Sequence, residues 1–218
     1  DWVRMDQYFI LNPEIDDYKI ARVPSKYNKS FNLNNTFGEG NIKMYLTCES
    51  EVVKNFPFEE NRKIFPYKDY AYIKKRFFSH PVYKYDVYVV ESDAYGISNI
   101  IICRVVSNGK GFAYRIVDFY GNEELLKYIT QQLYKIMISN QYEYIDFLCS
   151  GLDKLKIKES GVCNLDFNQK HLIVPNYFEP FIRKNIAIYS VHDKVNNFRF
   201  IQCKADGDQD RPNLLQTN

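Results

Sequence analysis

Tryptophan is almost missing from this chain, with one residue in 218, and methionine and histidine number only three each. His80, His171 and His192 stand far apart, and none has a ligand partner at metal-binding spacing. No two of the five cysteines (Cys48, Cys103, Cys149, Cys163 and Cys203) form a Cys-x-x-Cys pair, and their number is odd. That pattern reads as reduced, buried thiols of a cytosolic protein. No Ser-His-Asp or Cys-His arrangement stands out. No apolar run approaches the ~18 residues of a membrane span. An excess of charge of one sign is also missing: 29 basic residues meet 27 acidic ones, for a net charge of +2. This balance argues against a nucleic-acid binder, which carries a basic excess. Low complexity and internal repeats are absent too. With 45% hydrophobic and 26% charged residues the chain is not disordered.

What it has is tyrosine and phenylalanine, 19 and 16 residues. Such usage also follows from an AT-rich genome and carries little functional weight. The length suits one large domain or two small ones with a real core. The first residue is Asp1, not Met, and the expectation is an excised segment or a disordered start.

Residues 1–66 read as irregular, punctuated by Asn12-Pro13, Pro24-Ser25 and Gly38-Glu39-Gly40. Strand-like pieces fall at Gln7–Leu11, Tyr18–Val23 and Lys43–Leu46, and Glu49–Phe56 suggests a short helix. Tyr67–Phe78 reads as a helix that stops before His80-Pro81, because the residue ahead of proline avoids the helical region. Tyr85–Glu91, Asn99–Val106 and Gly111–Tyr120 are rich in Val, Ile, Tyr and Phe, and Asn108-Gly109 joins the last two. They predict an antiparallel meander. Asn122 then caps a helix over 122–140, with Leu126, Ile129, Leu133 and Met137 at helical spacing. Tyr144–Cys149 is the next strand and Leu152–Lys158 a short helix ending near Gly161. Ile186–Val191 and Phe198–Lys204 are expected to form a hairpin. A polar tail, 205–213, closes the chain.

Four segments carry a resemblance: Arg115-Ile-Val-Asp118-Phe, Tyr144-Ile-Asp146-Phe, Pro175-Asn176-Tyr177-Phe-Glu179-Pro180-Phe, and Asp206-Gly-Asp208-Gln-Asp210-Arg211-Pro-Asn213. With the order meander, long helix, strand, short helix, the chain resembles the GNAT (acyl-CoA N-acyltransferase) fold. More specifically it resembles the C-terminal half of tandem GNAT-like proteins from bacterial surface-polysaccharide (capsule, O-antigen) clusters. The resemblance implies an α/β (α+β) fold, a central, mostly antiparallel sheet flanked by helices. It implies a GNAT-like domain over 67–218, with 1–66 an irregular extension, remnant of a preceding GNAT-like half. It also implies a cytoplasmic acyltransferase-like domain acting on an amino sugar or related glycan precursor, with a sugar or nucleotide sugar as partner. The alternative is a non-catalytic half that binds a sugar or a partner.

One departure bears on the cofactor. Active GNAT enzymes hold the pyrophosphate of acetyl-CoA on a glycine-rich loop before the long helix. Here that loop reads Asp118-Phe-Tyr-Gly121-Asn122-Glu123-Glu124. Its carboxylates repel a polyanion, so acyl-CoA binding of the usual kind is not expected.

Glu179, flanked by Phe178 and Phe181, and Asp146 are the candidate catalytic carboxylates. Either could take the proton of an attacking amine. Glu179 could equally cap the following segment or pair with Arg183. Asp118 and Asp146 lie in strands and need basic or backbone partners, for which Arg104 and Arg115 are candidates. Arg115, Asp118, Tyr177, Asp208, Asp210 and Arg211 are the candidate substrate-binding residues. The Asp206-x-Asp208-x-Asp210 triplet reads either as a polar tail, as hard-cation ligands, or as carboxylates pairing with Arg211. Tyr83, Tyr85 and Tyr88 read as sheet faces or as a sugar-stacking platform.

Overall fold

The computed structural model describes residues 2–31, 41–93, 96–192 and 198–207. In chain order the strands are β1 (Trp2–Arg4), β2 (Asp6–Leu11), β3 (Ile42–Thr47), β4 (Ile64–Phe65), β5 (Asp86–Ser92), β6 (Gly96–Ser107) and β7 (Phe112–Gly121). They continue as β8 (Tyr144–Ser150), β9 (Cys163–Asn164), β10 (Tyr177–Phe178), β11 (Phe181–Ile182), β12 (Tyr189–Val191), β13 (Arg199–Phe200) and β14 (Gln202–Cys203). The α-helices are α1 (Ser50–Val53), α2 (Tyr70–Ile73), α3 (Leu126–Ser139) and α4 (Lys154–Glu159).

The meander forms as its sequence pattern implies. β5, β6 and β7 pair antiparallel in consecutive order. The sheet runs β3-β5-β6-β7-β8-β2-β9, with β14 added alongside β8. Only β7 and β8 run parallel in it, which requires a crossover. α3 is that crossover. Its Leu126, Ile129, Leu133 and Met137 are all at most 4% exposed and pack on Ile101, Ile116, Ile145 and Phe147 of one sheet face. Each such side chain contributes about 1.5–3 kcal/mol by leaving water. The architecture is therefore a mixed α/β fold with a mostly antiparallel sheet flanked by helices.

The opposite face carries two separate apolar clusters. One gathers Phe9, Ile20, Ala113, Leu172 and Val174; the other gathers Ile73, Phe77, Val87, Ile100, Ile102 and Val117. Charged side chains occupy the strip between them.

Several elements differ from the sequence expectation. The stretch 1–66 supplies β2 and β3 to the sheet itself. Tyr18–Val23 is not a strand, because the Glu143 carboxylate accepts the N–H groups of Lys19, Ile20 and Ala21 and so replaces a pairing partner. The hairpin over 186–204 does not form. β12 pairs with β1, β13 with β4, and β14 with β8. The 67–78 helix begins at Tyr70, capped by Asp69, and its second half is a π-helical turn over Lys74–Phe78. Of the expected ordered tail 205–213, positions beyond 207 lie outside the described residues.

Candidate functional site

The charged strip originates in the register of β6 and β7. Arg104 lies opposite Arg115, and Ile102 opposite Asp118. Side chains alternate along a strand, so positions 102 and 104 share a face. Arg115 and Asp118 are three residues apart and would face opposite ways in a regular strand. The register shift at Ile102/Cys103 places an extra residue in β7 and turns both to the same side.

Two guanidinium groups directly across from each other repel. Each is offset by its own carboxylate. Arg115 Nε and Nη2 donate to Asp146 at 3.0 and 2.7 Å, a bidentate pair in which both side chains are 1% exposed. Its guanidinium carbon also lies 4.9 Å from the Phe178 ring centre. Arg104 Nη1 is 3.4 Å from Glu179 Oε1, and its guanidinium carbon lies 3.7 Å from the Tyr83 ring centre. The Tyr83 hydroxyl donates to the other Glu179 oxygen. Burial, and then that bond, pushes Tyr83 up to about 12, so it remains a donor at neutral pH.

Glu179 stands at the edge of a groove of about 360 Å³, where Tyr83, Lys84, Asp86, Arg104, Ser107 and Phe178 form walls and floor. That volume falls within the range of small-molecule sites. The apolar cavity beneath α3, at about 20 Å³, holds no such space. Asp86 accepts from the Tyr114 hydroxyl at 2.7 Å, and the Tyr88 hydroxyl lies 2.9 Å from that of Tyr114. Tyr83, Tyr85 and Tyr88 do not form a stacking platform. His80 and Arg104 occupy the Tyr83 ring, Tyr85 packs edge-on against Phe77 and His80, and Tyr88 is buried.

A second charged cluster closes the other end of the strip. Lys68 Nζ lies 2.8 Å from both oxygens of Asp118, and 2.7 and 2.9 Å from those of Asp206. Tyr120 OH donates to Asp118 at 2.6 Å, and Cys203 N to Asp206 at 2.8 Å. Burial alone would lower Lys68, but the two carboxylates outweigh it and raise it. One ammonium serves two buried carboxylates. Burial and the neighbouring Asp118 therefore push Asp206 up to about 6, against the pull of Lys68. Asp118, Cys203 and Asp206 bring ligand atoms within 4.8 Å of one another, yet the Lys68 ammonium already occupies the cation's place.

The structure thus brings Glu179, Arg115 and Asp146 into one strip, linked through Phe178, with Tyr177 half-buried beside it in β10. Asp118 belongs to the Lys68 cluster. Asp208, Asp210 and Arg211 lie outside the described residues. Arg183 turns away from Glu179 and donates to the carbonyls of Tyr18 and Ala21. Lys68 and Asp86 carried no sequence signal, and Tyr83 reads in the sequence as a sheet face or stacking ring, not as a partner of Glu179. Lys68 and Asp206 are 138 positions apart, and Tyr83 and Glu179 are 96 apart.

The loop before α3 does not fit the pyrophosphate of an acyl-CoA. Asn122 Oδ1 accepts the Glu124 N–H at 2.9 Å and so caps the 3-10 turn Glu123–Leu125 that leads into α3. Glu123 pairs with Arg199 and Glu124 with Lys156, leaving these cations no charge to offer. Gly121, at φ +102°, has no room for a side chain against the Ser98 carbonyl. Beyond Ile116 and Phe147, where the β7–β8 pairing ends, β14 takes up the free edge of β8.

No protein-family model matches the chain, and no curated protein matches it. Two solved structures are similar to it in outline. One is a functionally unknown conserved protein from Staphylococcus epidermidis ATCC 12228, 10% identical with a TM-score of 0.43 over 76% of this chain and 59% of that one. The other is a conserved protein of unknown function from Enterococcus faecalis V583, described as a probable N-acyltransferase. It is 14% identical with a TM-score of 0.42 over 74% of this chain and 37% of that one. The chain thus spans less than two thirds of either protein. Among the described residues no helix is long and apolar enough to cross a membrane.

Proposed function

We propose that this chain is the substrate-binding unit of an acyltransferase-like protein, and that its groove takes an amino sugar or a related glycan precursor. The observation that carries the reading is the groove at Glu179, with a second carboxylate, Asp86, in the same wall. Two carboxylates beside a serine hydroxyl suit a small polyhydroxylated molecule bearing an ammonium group. Charge-assisted hydrogen bonds to the ammonium are the strong ones. Glu179 is held by Tyr83 and Arg104, so it meets a ligand in a fixed orientation. It is also 39% exposed in its side chain, which makes it the carboxylate that can receive the amine proton. We assign Asp146 to support of that geometry, since Arg115 engages both of its oxygens.

The capped, carboxylate-bearing turn that leads into α3 favours a unit that presents the acceptor while the acyl donor is held elsewhere. The likeness of the 175–181 and 206–213 segments to surface-polysaccharide proteins is the reason to place the acceptor among bacterial glycan precursors.

Titration of glucosamine, N-acetylglucosamine and glucose by calorimetry is the test. Glucosamine is expected to bind at least about tenfold tighter than the other two, and Glu179→Gln to erase that difference, as loss of a charge-assisted bond implies. Equal binding of all three sugars, or none by any, would overturn the reading.

A further inference from the structure

We infer that His80 is the positioning residue of the groove and makes its assembly dependent on pH; this rests on the reading of the groove as the ligand site. His80 Nδ1 accepts two backbone bonds, from Val82 N at 3.2 Å and Tyr83 N at 2.9 Å. An N–H can only donate, so Nδ1 must be the bare nitrogen and Nε2 carries the proton of the neutral ring. The imidazole thereby closes the turn 80–83, within which Pro81 fixes one φ angle. The same ring stacks on Tyr83, with centroids 5.1 Å apart and planes 10° from parallel. Backbone and ring of Tyr83 are thus both set by His80, and the Tyr83 hydroxyl in turn sets Glu179.

A second proton on the imidazole must go to Nδ1. That turns an acceptor of two bonds into a donor facing two donors, and the turn has to open. The surrounding charges act in both directions. Arg104 on β6 packs on the Tyr83 ring, and Arg76 from the π-turn reaches the Tyr85 hydroxyl that borders His80. Both are cations and disfavour a charged imidazole. Glu179, on the β10–β11 turn, favours one and bonds Tyr83 OH and Arg104. The Tyr83 hydroxyl stays neutral at these pH values. Whatever the balance of these charges, a proton on Nδ1 removes the two backbone bonds. When falling pH places that proton on Nδ1 the turn opens, Tyr83 leaves Glu179, and the groove loses its fixed carboxylate.

The experiment follows the Tyr83 ring by ¹³C NMR, assigned with Tyr83→Phe, and glucosamine affinity by calorimetry, from pH 8 to pH 5.5. Wild type, His80→Asn and His80→Ala are compared. Asparagine can accept the same local backbone bonds through Oδ1 and cannot take up a proton. In the wild type the Tyr83 resonance is expected to move with the midpoint of His80, and affinity to fall about tenfold or more by pH 5.5, or about 1.4 kcal/mol. His80→Asn is expected to keep its binding and lose the pH profile. His80→Ala is expected to bind weakly at every pH. A Tyr83 resonance indifferent to His80, or an unchanged profile in His80→Asn, overturns the inference. Should Tyr83 follow His80 while no variant binds glucosamine, the positioning role stands and the sugar reading falls. Should His80→Asn not fold, imidazole ¹⁵N shifts of the wild type decide, and a protonated Nδ1 at pH 8 overturns the inference.

Discussion

Arg115 and Asp146 sit where a charge is hardest to keep, in the middle of a sheet face and out of contact with water. Their bidentate geometry offsets the desolvation, but only as a pair. Asp146→Ala leaves a buried guanidinium alone and is expected to cost about 3–5 kcal/mol in urea unfolding. Arg115→Met with Asp146→Leu together are expected to cost less than the single change, because no uncompensated charge remains. A double variant weaker than Asp146→Ala would refute this. Asp206 makes a second residue-level case. Its folded value, about 6, lies above its ordinary 3.8, so folding favours the protonated form. The stability this group contributes is therefore full below about pH 4 and is lost as pH rises through 6. Relative to Asp206→Asn, which cannot ionise, the wild type is expected to lose about 2–3 kcal/mol between pH 4 and pH 7.5. Parallel profiles for the two proteins would show that Lys68 holds Asp206 ionised throughout. From sequence, the need of Asp118 and Asp146 for partners was legible, since a strand carboxylate cannot be buried alone. Arg115 emerged as one such partner. Lys68 did not, because nothing near it in the chain shows that it is buried.

Elements whose partners are near in sequence were the readable ones. The meander announces itself by β-branched runs and Asn108-Gly109, and α3 by its apolar spacing. Leu133, fully buried under the sheet, should therefore behave as a core residue. Leu133→Ala is expected to destabilise by about 2–5 kcal/mol, whereas Lys135→Ala on the outer side of the same helix should stay within about 0.5 kcal/mol. Similar thermal shifts for the two would contradict the register of α3. Tyr18–Val23 shows the limit of pattern. Its composition favours a strand, but its N–H groups go to the carboxylate of Glu143, more than 120 positions away. Three backbone donors depend on that one group. Glu143→Ala is expected to cost about 3 kcal/mol or more, since each buried donor left unmade costs about 1–3 kcal/mol. Glu143→Gln, which keeps one acceptor oxygen, should recover part of it. A neutral Glu143→Ala would mean that the Arg22–Ile173 backbone bonds and the Arg183 bonds to the Tyr18 and Ala21 carbonyls hold the segment without it.

At the scale of the molecule the chain ends interlock. β1 pairs with β12, β2 lies between β8 and β9, and Gln7 Nε2 donates to the Val174 carbonyl at 2.8 Å. No local signal could show this, since the partners stand 133 to 189 positions apart. The expected 186–204 hairpin is absent because its segments find other partners: β12 completes β1, β13 completes β4, and β14 adds to β8. The interlocking also bears on the residue-66 boundary read from the sequence. In a fragment covering 67–218, β8 would lose β2, and with it Tyr8, Phe9, Ile10 and Leu11, all at most 6% exposed. Their burial contributes on the order of 6–12 kcal/mol, as much as the ~5–15 kcal/mol by which whole domains are stable. The 67–218 fragment is therefore expected to show no cooperative thermal transition and poorly dispersed amide resonances. Mixing it with the 1–66 fragment should restore both, because the missing strands can dock on a sheet that lacks only them. If the 67–218 fragment unfolds cooperatively by itself, β2 is an accessory to the sheet, and the groove and its charged strip belong to an independent unit.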